Sequence, residues 1–166
     1  MVCADREALP TDATSDAHTL YISQFIPSTL RWPQVGNLLL TQETGLSTQT
    51  AEDGGARAVL EVNLTLSELD AEAAATLDLK LRAPAWAAAG SLSVLRAGQA
   101  VGSTKTVSVG AASFLDVSAP GGGWQAGDAI AASFSMVPRL NDKRLAYKQV
   151  AAIMMGPYVM GESTAR

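Results

Sequence analysis

Residues 76–82 read TLDLKLR, and the fold turns on how that stretch is read. Leu77, Leu79 and Leu81 fall on one side of an extended chain, and Asp78, Lys80 and Arg82 on the other. A period of two marks a strand with one buried and one wet face. VLEVNLTL (59–66) repeats the pattern, with Leu60, Val62, Leu64 and Leu66 inward and Glu61, Asn63 and Thr65 outward. AIAASFSM (129–136) repeats it through Ile130, Ala132, Phe134 and Met136. Weaker strands are read at LYISQFI (20–26), GNLLLTQET (36–44), SLSVLRAG (91–98), TKTVSVG (104–110), SFLDVS (113–118) and KQVAAIMMG (148–156). Breakers stand between them, among them Pro27, Pro33, Pro84, Gly90 and the glycines at 54–55 and 121–123. Many short strands separated by turn signals predict an all-β fold, an antiparallel β-sandwich.

One segment argues for helix. SELDAEAAA (67–75) has an N-cap-like Ser67, early acidic residues and an alanine run. Nine residues fall short of the ~12–15 that hold as an isolated helix. A hairpin connection with one helical turn is expected there.

Composition bounds what the chain does. It has 166 residues, 48% of them hydrophobic, which suits one domain with its own core. Net charge is −4 and no basic run occurs, so nucleic acid is not an expected partner. No apolar run approaches the ~20 residues that cross a bilayer, and no membrane association is expected. MVCADREALPTDATSDAHT (1–19) lacks the apolar core of a signal peptide and reads as a polar, flexible leader. With one cysteine, Cys3, and one histidine, His18, the chain makes no internal disulfide and no Cys/His zinc site. The expected organisation is leader 1–19, sandwich 20–162 and tail 163–166.

Five stretches, taken in order, resemble a known family. LYISQFIPSTLRW (20–32), GNLLLTQET (36–44), LDLKLRAPAWA (77–87), GWQAGDAI (123–130) and NDKRLAYKQVAAIMMGPYVM (141–160) are similar to glycoside hydrolase family 127, the β-L-arabinofuranosidase-like family. The similarity is to the β-sandwich that follows its catalytic (α/α)6 barrel. It implies a non-catalytic middle domain or fragment, whose partner is the barrel or another chain covering the same face. It also implies that the cysteine nucleophile and the zinc site belong to the barrel. No catalytic residue, metal ligand or cofactor is therefore expected in this chain. Cys3, without a second cysteine or a glycine run, is not assigned the nucleophile's role, and His18 reads as a solvated linker residue.

Two departures from the family stand out. FLDVSAPGGGWQAGD (114–128) has three glycines inserted before Trp124 and no basic residue where relatives commonly carry one. SVLRAGQAV (93–101) stands where the family often has a tight Asn-Gly turn, which implies a looser hairpin here.

Candidate contacts follow from residue type. Trp32, Trp86 and Trp124 carry faces able to stack on sugars, but at strand ends an indole more often caps the core. Trp86 reads as the most buried, and Trp32 and Trp124 as the sugar-binding candidates. An alternative function is accordingly a carbohydrate-binding module for arabinose-containing glycans; another is a protein-interaction domain. Asp142, Lys143, Arg144 and Tyr147 are candidates for fixing the barrel to the sandwich. Asp70 with Glu72, and Glu52 with Asp53, read as solvated carboxylates. Asp128 suits a turn in which the side chain bonds its own backbone. Asn63 opens an N-glycosylation triplet on the wet face of its strand.

Overall fold

The computed structural model describes residues 2–5, 18–50, 54–107, 113–141 and 152–160. The strong alternations all become strands. Leu77–Ala83 (β6) buries alternate residues, as do Ala56–Glu68 (β5) from Leu60 onward and Ala129–Met136 (β10). The remaining strands of the sandwich are His18–Ile22 (β2), Ser28–Trp32 (β3), Leu38–Thr50 (β4), Ala87–Arg96 (β7), Gln99–Val107 (β8) and Ser113–Val117 (β9). Within the stretch read as a leader, Val2–Asp5 (β1) is a strand pairing antiparallel with β2, Cys3 opposite Tyr21. The rest of that stretch, 6–17, lies outside the described residues.

Two sheets face each other. One runs β1-β2-β6-β9 and the other β3-β4-β5-β10-β7-β8. Their inner faces merge into one core, with Leu20, Leu79 and Leu81 from the first sheet and Leu40, Leu64 and Phe134 from the second. The pairings are antiparallel except β2 with β6, which is parallel. A parallel pair cannot be closed by a hairpin. Here the chain leaves β2, builds three strands of the opposite sheet, and returns along β6. Pro138–Asn141 (β11), Ala152–Met155 (β12) and Tyr158–Met160 (β13) form a small third sheet, from which Met155 packs against the core.

The helical turn forms, but later than Ser67 suggests, and the connection is not a hairpin, because β5 and β6 belong to different sheets. Ala71–Thr76 (α1) has Asp70 at its N-cap position, extended and without a side-chain hydrogen bond to the helix, and Ser67 belongs to β5. Burial of Leu64 and Leu66 holds that strand through Ser67, and the alanine run begins only beyond Asp70. At its far end Leu77 enters the core, and the two-residue pattern of β6 takes over.

The β7–β8 hairpin also departs from expectation: it is tight. Arg96 pairs with Gln99, leaving two turn residues, Ala97 at φ +52° and Gly98 at φ +77°. Positive φ at both positions is the type I′ requirement, which matches the twist of the strands. Gly98 meets it freely, whereas Ala97 carries the strain of a Cβ against its own carbonyl. Ala97→Asn is expected to raise the unfolding free energy by about 0.5–1 kcal/mol. A urea titration that shows an unchanged or lower midpoint would count against this reading of the turn.

Candidate functional site

Three segments that end strands with proline and an aromatic residue converge on one cleft of about 540 Å³. The first is the irregular stretch after β2, carrying Phe25 and Ile26. The second is the turn Pro84-Ala85-Trp86 that joins β6 to β7, closed by a hydrogen bond from Ala87 N–H to Pro84 O at 3.1 Å. The third is the turn between β12 and β13, which brings Tyr158 to the wall.

The aromatic floor is anchored in the core. Buried Phe134 stacks on Phe25 with centroids 5.2 Å apart and meets Trp86 edge-on at 6.4 Å. Gln42, 2% exposed, fixes the first segment by donating from Nε2 to the carbonyls of Gln24 (2.9 Å) and Ile26 (2.7 Å). Since both partners are acceptors, they orient the amide, and Gln42 Oε1 has no partner among the described residues. Gly156, at φ +58°, allows the third segment to approach. A Cβ there would collide with the Met136 side chain and lie 3.4 Å from the Trp86 ring.

Two cations line the same cleft. Arg82 comes from the outer face of β6, and Arg139 from β11. Both are exposed, and neither has an acidic partner among the described residues. Ile26 (56% exposed) and Tyr158 (47%) leave apolar surface open at the cleft.

The residues singled out from sequence distribute differently. Trp124 is 1% exposed, and its indole N–H donates to Leu77 O at 3.0 Å. That ring has no face to offer a sugar, because Gly123 and Trp124 close over the end of α1 (Trp124 N–H to Ala74 O, 3.3 Å). Trp32 is half-buried on β3, edge-on to the His18 ring at 5.8 Å, and does not line the cleft. His18 is correspondingly a half-buried strand residue, not a linker. Trp86, read as the most buried tryptophan, is the one that lines the cleft. Asp142, Lys143, Arg144, Tyr147, Glu52 and Asp53 lie outside the described residues. Asp70 and Glu72 are exposed, and Asp70 accepts a hydrogen bond from Asn37 Nδ2 at 3.3 Å.

Asp128 does more than shape its own turn. Its Oδ2 accepts from Gln125 N–H at 2.9 Å, as a turn carboxylate should. Both oxygens also accept from Arg96, Nε to Oδ1 and Nη2 to Oδ2, each at 2.8 Å. Arg96 continues to the carbonyls of Gly123 (2.8 Å) and Gly121 (3.4 Å). The glycine loop thus receives its cation from the neighbouring hairpin, which the linear sequence does not reveal. The Arg96 hydrogen bonds hold the Asp128 carboxyl below the usual carboxylate range, against the opposing effect of burial.

A family model described as "Beta-L-arabinofuranosidase, GH127 middle domain" matches residues 19–136. The chain belongs to the GH127 middle-domain family. The matched segment carries β2 to β10, hence both sheets of the sandwich apart from β1, and the Phe25 and Trp86 sides of the cleft. Arg139 and Tyr158 stand beyond it. Searches of curated proteins and of solved structures return no match. Among the described residues of this GH127 middle domain, no three His, Cys, Asp or Glu side chains converge to hold a metal.

Proposed function

We propose that this GH127 middle domain is the non-catalytic β-sandwich of an arabinofuranosidase-like glycoside hydrolase, and that it supports the (α/α)6 barrel that does the chemistry. The family match over 19–136 carries the reading. The placement of carboxylates supports it. Glycoside hydrolysis ordinarily needs two of them facing one sugar, about 5–10 Å apart. Asp128 is committed to Arg96, Asp70 and Glu72 stand on the surface at α1, and none of the three lines the cleft. A protein that packs against a barrel needs apolar surface to be covered, and Val137 and Ile153, exposed outside the cleft, supply it.

The purified chain is expected to release no aryl group from aryl β-L-arabinofuranosides, with or without added zinc. Release that scales with the concentration of purified chain would overturn the proposal.

A further inference from the structure

We infer that the cleft between the Phe25 segment, Trp86 and Tyr158 binds a carboxylate-bearing saccharide, a uronate, with Arg82 and Arg139 gripping the carboxylate. The inference stands apart from the scaffold role and uses none of the residues assigned to sugar contact from sequence.

Size comes first. About 540 Å³ lies within the ~300–1,000 Å³ of small-molecule sites. The lining then divides into two kinds of surface. Trp86, Tyr158 and Phe25 offer flat apolar area, which suits the C–H face of a pyranose ring. Trp86 and Phe25 are held against Phe134, so little ordering is required on binding. Arg82 and Arg139 are planar forks whose geometry fits a carboxylate's two oxygens.

The charge is what narrows the ligand class. This chain carries a net charge of −4, yet two arginines line one cleft with no acidic side chain among its lining residues. Elsewhere among the described residues cations meet carboxylates: Arg31 with Glu68, Lys80 with Asp116, and Arg96 with Asp128. A neutral sugar would use the rings and leave both cations idle. An acidic peptide would use the cations and gain little from the ring faces. A uronate uses both.

The test is an NMR titration of the full chain with digalacturonate, galactobiose and a short Asp/Glu peptide as separate probes. Digalacturonate is expected to shift the Trp86 indole N–H resonance, with galactobiose and the peptide each bound at least about tenfold more weakly. Arg82→Met and Arg139→Met are each expected to weaken digalacturonate about tenfold, and added salt should weaken it further. Tyr158→Ala, at an exposed position, probes the aromatic contribution. Circular dichroism and melting curves confirm that each variant is folded. Absence of digalacturonate binding, equal binding of galactobiose, preference for the peptide, or an unchanged affinity in the folded Arg82→Met/Arg139→Met double variant would each overturn the assignment.

Discussion

Asp128→Ala is expected to lower the unfolding free energy by about 3 kcal/mol, the lower end of what breaking a buried ion pair costs. The carboxylate is 1% exposed. It receives two charge-assisted bonds from Arg96 and one from Gln125 N–H, so its removal releases β7, the glycine loop and the start of β10 together. Arg96 keeps some access to water and can be rehydrated when its partner is lost. The reverse substitution is worse. Arg96→Met leaves a carboxylate inside the protein without its cation, and strips the Gly121 and Gly123 carbonyls of their donor. It is therefore expected to lower stability more than Asp128→Ala does, and the double variant should fall short of the sum.

The same pair sets a pH dependence of definite sign. The folded-state pKa of Asp128 is depressed, so the unfolded chain binds the proton more readily. The contribution is complete above about pH 4, the unfolded carboxyl's range, and fades as pH falls through the lower folded value. Urea midpoints measured at pH 6 and pH 3 should therefore converge between wild type and Asp128→Ala as the solution is acidified. A gap that stays constant, or widens toward pH 3, would show that the charge of Asp128 is not what stabilises the loop.

Trp124→Ala is the second large effect, expected to cost about 3–5 kcal/mol. This indole fills the core between the glycine loop and β6, and its N–H satisfies the carbonyl at the junction of α1 with the strand. Trp124→Phe separates the two contributions. It keeps most of the volume and leaves Leu77 O without its donor, for an expected loss of about 1–2 kcal/mol. Denaturant curves with unchanged slopes would verify that both variants unfold from the same native state. Were Trp124→Ala nearly neutral, the indole would have to lie on the surface, and its dismissal as a sugar platform would fail with it.

These two sites mark where linear reading runs out. The bidentate partner of Asp128 lies 32 residues upstream, and the acceptor of Trp124 lies 47 residues upstream. Neither separation has a periodicity or spacing that announces it. The turn role of Asp128 was legible because Gln125 is three residues away, within reach of a local motif. Similarly, the tightness of the Ala97-Gly98 turn was hidden by its alanine. Propensity argues against a positive φ there, and the pairing of β7 with β8 imposes it.

By itself the sequence determined the layered all-β architecture. Alternation at Leu60–Leu66, Leu77–Leu81 and Ile130–Met136 is a local property, since successive side chains of an extended chain must point to opposite faces. Tertiary structure alone decided which strands became neighbours, as in the parallel pairing of β2 with β6, and which turns met to form the cleft. Phe25, Trp86 and Tyr158 are separated by some sixty and seventy residues, and each sits near a strand end that looks ordinary in isolation. Their convergence depends on two sheets closing over Phe134 and on Gly156 admitting a hairpin where any side chain would collide. Contacts of that range follow from the packing of whole elements, and no window of neighbouring residues encodes them.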